Sequence, residues 1–171
     1  LSNLSSLLQC QLIDITLSER KITENLSAIV GMNSFGSFLW QKNLDNQINI
    51  PFFLTGGTFD LVTPPISEQL ELLLGLSSNP MSRVLLIEGA SHFSPIRVEG
   101  QMHQSEGKDL FNLGESIVGY HPLSVQSLLA FEIISFIEKL EDKKSIPSNT
   151  NLTKGELKFH LLDKSIIEKL V

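Results

Sequence analysis

The sequence predicts an α/β protein in which a mostly parallel sheet is covered by helices. Three short runs are continuously apolar rather than alternating: LSAIVGMNSF (26–35), IPFFLTGG (50–57) and RVLLIEG (83–89). Strands of this kind are buried on both faces, as in parallel sheets with helical crossovers. Segments with helical spacing separate or flank the runs, and this alternation is typical of the α/β class.

Three segments show the helical spacing. Residues 3–14 place Leu4, Leu7, Leu8 and Leu12 on one side, and residues 66–76 follow two prolines, which a helix start tolerates. Residues 122–140 form the longest apolar stretch, with an apolar face at helical spacing. Gln126 and Glu132 interrupt that stretch, so we interpret it as a helix covering the sheet and not as a membrane span.

Composition narrows the possible partners and compartments. The 171 residues carry 13 basic and 19 acidic side chains, a net charge of −6, and the basic residues are scattered. This argues against nucleic acid and anionic membrane surfaces as partners. The single cysteine, Cys10, has no partner for an internal disulfide, so we favour a cytoplasmic location. Because the chain starts at Leu1 without methionine, we interpret it as a fragment. A signal peptide before Leu1 stays an open alternative.

The domain organisation is predicted from changes in pattern along the chain. Residues 1–141 form the main α/β portion, in which residues 94–121 lack a clear period and are either a lid-like loop or a surface excursion. Residues 142–154, DKKSIPSNTNLTK, have the composition of a polar linker. Residues 155–171 are predicted to form a terminal helix.

Two polar residues follow the second and third apolar runs. Asp60 comes just after IPFFLTGG, and His92 just after RVLLIEG. Because the carboxyl ends of parallel strands line the ligand crevice, we expect the two side chains to meet within about 2.6–3.2 Å. A carboxylate there fixes the imidazole tautomer and stabilises the imidazolium. Taken singly, Asp60 also suits a turn or helix cap, and His92 a loop histidine bonded to backbone.

Other candidate residues carry weaker signals. Phe35, Phe38, Trp40 and Phe93 fall near predicted strand ends, where they line an apolar acyl or alcohol pocket or belong to the core. A metal site built from the set His92, Glu99, His103, Glu106 and His121 matches no ligand spacing, so no metal is predicted. No G-x-G-x-x-G follows a strand, and no cofactor is predicted.

The segments IPFFLTGGTFDLVTPPISEQ and RVLLIEGASHFS together resemble the acid and histidine segments of the α/β-hydrolase fold. More narrowly they resemble cyanobacterial proteins described as predicted dienelactone hydrolases or platelet-activating-factor acetylhydrolase-like esterases. NLSSLLQCQ and VGMNSFGSFLW resemble the stretches before the acid in that group, so the likeness spans residues 1 to about 140. The resemblance implies the carboxyl-terminal part of a hydrolase with triad order Ser, Asp, His, in which Asp60 is the acid and His92 the base.

The sequence departs from this group in lacking the nucleophile. No G-x-S-x-G motif occurs anywhere in the chain. Ser91 is adjacent to His92, and Ser34 follows the first strand, where a pocket or turn role is favoured. We therefore expect part of an ester hydrolase acting on a small-molecule ester, inactive alone, whose partner is the missing amino-terminal half of the same fold. The alternative is a non-catalytic protein that binds a small molecule or a partner through the same crevice.

Overall fold

Strands and helices alternate through the part of the chain that the computed structural model describes, residues 4–10, 26–37, 48–96, 119 and 121–171. In chain order the elements are α1 (Leu4–Cys10), β1 (Ile29–Met32), β2 (Phe52–Gly57), a π-helical turn (Ile66–Leu70) that continues as α2 (Glu71–Leu76), β3 (Arg83–Ile87), α3 (Pro122–Glu141), β4 (Asn149–Lys154), β5 (Leu157–Leu162) and α4 (Lys164–Leu170). The three predicted strands and the predicted helices that overlap α1, α2 and α3 are confirmed.

The strands form one five-stranded sheet in the order β1-β2-β3-β5-β4. β1, β2 and β3 are parallel, whereas β5 runs antiparallel to β3 and β4 antiparallel to β5. The α/β class is therefore correct, and the sheet is mixed, with two parallel and two antiparallel pairings, where a mostly parallel sheet was expected.

The correction comes from the segment predicted to be a linker and a terminal helix, residues 142–171. Residues 149–162 instead form the hairpin of β4 and β5, and only Lys164–Leu170 is helical. Gly155 turns the hairpin with φ of 60°, and it is the first of two residues between the paired Lys154 and Leu157. A glycine in that place suits a two-residue hairpin loop. β4 exposes most of its side chains, so pairing with β5, not burial, keeps it extended.

Helices cover both faces of the sheet, as predicted. α3 packs on one face, where its apolar side chains and those of the strands form one cluster. The cluster includes Phe53, Leu85, Ile87, Val125, Leu128, Leu129, Phe136, Leu157, Phe159 and Leu161. α2 and α4 cover the other face, with Phe52, Leu54, Leu70, Leu73, Val84, Leu162 and Ile167. Every residue of β2 is buried, which explains its continuous apolar run. Among the described residues, no helix combines the length and apolarity needed to cross a bilayer.

Candidate active site

The segments that follow β2 and β3 are held against each other by close backbone contact. A Cβ added at Gly57, the last residue of β2, would lie 2.1 Å from the Ala90 carbonyl oxygen, so only glycine fits there. Just beyond, the Phe59 N–H donates to the same carbonyl over 2.9 Å. This contact joins the loop carrying Asp60 to the loop carrying His92.

Asp60 and His92 meet at the carboxyl edge of the parallel strands. The Nδ1 atom of His92 lies 3.0 Å from Oδ2 of Asp60, which confirms the predicted separation. The Asp60 side chain is fully buried, whereas 26% of the His92 side chain is exposed. The pair therefore has a protected carboxylate and an imidazole that reaches the surface.

The Asp60 carboxylate is fixed by its own loop. Its Oδ1 atom accepts hydrogen bonds from the N–H groups of Val62, at 2.9 Å, and Thr63, at 2.7 Å. Its Oδ2 atom accepts from the Thr63 hydroxyl at 2.8 Å, in addition to the contact with His92. Hydrogen bonds of this kind leave the carboxylate little freedom to rotate. Asp60 thus caps a turn, a role that its position in the sequence also suggested, and it faces His92 at the same time.

The surroundings of His92 Nδ1 decide which ring nitrogen carries the proton. Nδ1 lies near two oxygens, Asp60 Oδ2 and, at 3.0 Å, Thr63 Oγ1. An ionised carboxylate only accepts, so a bare Nδ1 would face it with two lone pairs in opposition. The proton therefore belongs on Nδ1. Within the described part of the chain, Nε2 has no hydrogen-bond partner, which leaves its lone pair open to take a proton.

Asn33, at the end of β1, supports His92 from the other side, and sequence reasoning missed it. Its φ is 47°, a left-handed conformation that asparagine tolerates better than most residues. Its Nδ2 atom donates to the His92 carbonyl over 2.7 Å, and its own carbonyl oxygen lies 3.3 Å from the Thr63 hydroxyl, which donates to Asp60. An asparagine directly after the first predicted strand was the available signal.

The nearby serines are occupied by packing and turn contacts. The Ser91 hydroxyl accepts from the Phe93 N–H, and the Ser94 hydroxyl accepts from the Ser91 N–H over 2.8 Å. Ser34 turns its hydroxyl toward Gly31, where an added Cβ would lie 2.3 Å from it. Among the described residues, no serine hydroxyl is bonded to Nε2 of His92.

The aromatic candidates separate into three groups. Phe93 packs edge-on against the His92 ring, with centroids 5.3 Å apart and planes at 85°. Phe35 lies on the loop after Asn33 and is half exposed. Phe38 and Trp40 lie outside the described residues, so their pocket role stays a prediction.

Part of the predicted lid-like segment, residues 94–121, is anchored beside the histidine loop. Gly119 forms a bridge with Ala90, and the Gln126 amide of α3 donates to the Ser94 carbonyl. Most of the segment lies outside the described residues, including His103, Glu99 and Glu106 of the metal set that was weighed. His121 faces Glu156 at 3.2 Å. Within the described residues, no cluster of three potential metal ligands occurs.

Comparison of the chain with protein-family models, with curated proteins and with solved structures finds no match. The geometry of the site is therefore the basis for its proposed function.

Proposed function

We propose that this chain supplies the acid and the base of a serine-dependent ester hydrolase. The observation that carries the proposal is the bond between His92 Nδ1 and the buried Asp60 carboxylate, made while Nε2 has no partner among the described residues. An imidazole held in this way takes a proton from an attacking hydroxyl and later returns it to the leaving alcohol. Asp60 stabilises the imidazolium formed between the two steps.

The nucleophile is proposed to lie on a segment outside this sequence. The chain has no G-x-S-x-G elbow, and the described serines near His92 are engaged elsewhere. β1 stands at the end of the described sheet, and its Val30 and Met32 side chains are 39% and 53% exposed. A parallel sheet with such an edge favours a further strand beside β1, and the amino-terminal half of a hydrolase supplies one.

The first test compares the isolated chain with the complete product of its gene on p-nitrophenyl esters of increasing acyl length. The isolated chain should show no burst and no turnover above an inactivated control, whereas the complete product should hydrolyse the esters. Sedimentation of the isolated chain should show self-association through the β1 edge, and addition of the upstream half should suppress it. Hydrolysis by the isolated chain that a single serine substitution abolishes would place the nucleophile inside it.

A second test measures which ring nitrogen of His92 carries the proton. ¹⁵N spectra of the isolated chain should show His92 protonated at Nδ1 near neutral pH. The Nδ1 proton should lie far downfield because it faces a buried carboxylate.

A non-catalytic binding protein is the second candidate, favoured by the lack of any hydroxyl on Nε2 among the described residues. A well-folded, complete gene product that binds apolar esters without cleaving them would support this candidate and contradict the first.

A further inference from the structure

Glu68, in the π-helical turn after β2, is a fully buried carboxylate outside the Asp60–His92 pair. Its Oε2 atom accepts from the N–H groups of Gly36, at 3.0 Å, and Ser37, at 3.2 Å. Its Oε1 atom accepts from the Ser37 hydroxyl at 2.7 Å and from the Gln9 amide of α1 at 3.2 Å. Each oxygen therefore receives at least two donors.

The donors that the described residues offer to Glu68 are all neutral. In the described part of the chain, no lysine, arginine or histidine pairs with this carboxylate. Burial of an anion is costly, and the hydrogen bonds from these described residues offset part of the cost. Such an arrangement holds its donors firmly, because each lost donor would leave the buried charge less satisfied.

Three of these donors, the N–H of Gly36 and the N–H and hydroxyl of Ser37, belong to the loop that follows β1. The same loop is held from a second side, because the Gln69 amide donates to the Ser34 carbonyl over 2.8 Å. Asn33 begins this loop and donates to the His92 carbonyl over 2.7 Å. A chain of contacts thus runs from Glu68 through the loop to the backbone of the histidine.

We propose that Glu68 is a positioning residue that holds the loop of residues 33–37 so that Asn33 fixes His92 beside Asp60. The inference rests on the proposed function, since positioning matters only if His92 acts as a base. A carboxylate suits the task better than an amide because both of its oxygens accept. Glutamine would keep the shape but present two donors where Oε1 now receives Ser37 and Gln9.

The test is made on the isolated chain with Glu68→Gln. Glu138→Gln is the matched control, because it removes an exposed carboxylate from a different helix, α3. In Glu68→Gln, amide exchange at Gly36 and Ser37 should accelerate roughly tenfold or more, the scale of one lost charge-assisted bond. The ¹⁵N signals of His92 should shift toward a mixture of tautomers, while amides of β4 and β5 stay unchanged. Glu138→Gln should leave all these signals in place.

A milder variant keeps the test decisive if Glu68→Gln fails to fold. Ser37→Ala removes the donor closest to Glu68 and leaves the carboxylate in place. It should produce a smaller shift of the same His92 signals. Unchanged His92 signals in a folded Ser37→Ala or Glu68→Gln chain would overturn the proposal.

The inference and the proposed function can fail separately. Shifted His92 signals in the variant, with no His92-dependent hydrolysis by the complete gene product, would leave the contact chain in place and remove the enzyme. Conversely, hydrolysis that requires His92 but keeps its kcat in Glu68→Gln would remove only the positioning role. The supporting result is a kcat that falls by a larger factor than KM changes, because the contact chain from Glu68 acts on the orientation of the base.

Discussion

In two histidine–carboxylate pairs the ring nitrogen lies at the same distance from the carboxylate oxygen. Both pairs lie near the carboxyl ends of the parallel strands. His92 Nδ1 lies 3.0 Å from Asp60, and His160 Nε2 lies 3.0 Å from Glu88. The first pair joins the loops after β2 and β3, both in the parallel half of the sheet. The second joins β5 to the turn after β3 and thus fastens the antiparallel hairpin.

The two pairs differ in the hydrogen bonding of the second ring nitrogen and in the exposure of the carboxylate. His160 Nδ1 accepts the Asn151 N–H over 3.0 Å, so both nitrogens of that ring are in use. The Glu88 side chain is 44% exposed, whereas that of Asp60 is fully buried. A base needs an open lone pair on the ring and a fixed, protected carboxylate behind it. Distance alone does not separate a base from a structural histidine.

The largest expected effect separates the two histidines by activity. In the complete gene product, His92→Ala should lower turnover by about three orders of magnitude or more, as loss of a triad base does. His160→Ala should keep turnover within about twofold, because its ring has no free nitrogen to offer. Initial rates on a p-nitrophenyl ester, with folding checked by circular dichroism, decide between them. Equal losses of turnover in the two variants would contradict the distinction drawn between the two histidines.

The second prediction tests whether the hairpin shares a core with the parallel strands. Phe159 of β5 is buried in the same cluster as Phe53 of β2 and Phe136 of α3. Phe159→Ala should lower the free energy of unfolding by about 3–5 kcal/mol. Lys158→Ala, next to it on an exposed position, should change it by less than about 0.5 kcal/mol. Urea unfolding followed by circular dichroism measures both, and a small effect of Phe159→Ala would mean that the hairpin is dispensable.

The contrast between the parallel strands and the hairpin also explains which elements could be predicted from the sequence. β2 and β3 are buried on both faces and read as continuous apolar runs, so Asp60 and His92 were found from strand ends alone. β4, NTNLTK, buries almost nothing and extends only because β5 lies beside it, a contact that no local pattern records. The alternation in LKFHLL of β5 was a usable strand signal.

The residues around the site were missed for a related reason. Asn33 and Thr63 act through hydrogen bonds from loops, and Asn33 contacts a residue 59 positions away. A polar residue in a loop has no periodicity, and its partner is set only when the sheet assembles. Strand ends indicate where a site lies, whereas the residues that hold its geometry emerge from the tertiary structure.

The third prediction concerns the opposite end of the hairpin, where Asp163 caps α4. Its side chain accepts from the Ile166 N–H at 2.9 Å and from the hydroxyls of Ser148 and Ser165. Burial alone would raise the pKa of Asp163, but these bonds and the charge of Arg83 outweigh it and lower the pKa to about 2. Asp163→Ala should cost about 1 kcal/mol near neutral pH, the usual value of a lost cap.

The sign of the pH effect follows from the lowered pKa. The folded carboxyl titrates at about 2 and the unfolded one near 3.8, so its stabilisation is present above pH 3.8 and is lost as the pH falls toward 2. Asp163→Asn is the control, because asparagine caps a helix about as well but does not titrate. It should keep most of the stability at neutral pH and flatten the loss between pH 4 and 2. An equal loss in both proteins would assign that pH dependence to other groups.

The smallest expected effect returns to the two carboxylates. Glu88→Gln should change the free energy of unfolding by no more than about 0.5 kcal/mol, since the pair with His160 is partly exposed and glutamine still accepts a hydrogen bond. Asp60→Asn should cost about 2 kcal/mol, because an amide nitrogen at Oδ2 would face the donors of Thr63 and His92 inside a buried site. Thermal unfolding of the two isosteric variants at one pH measures the difference. A Glu88→Gln chain destabilised as much as Asp60→Asn would show that the exposed pair is also held rigidly, and the open ring nitrogen of His92 would then be the sole feature that sets the two histidines apart.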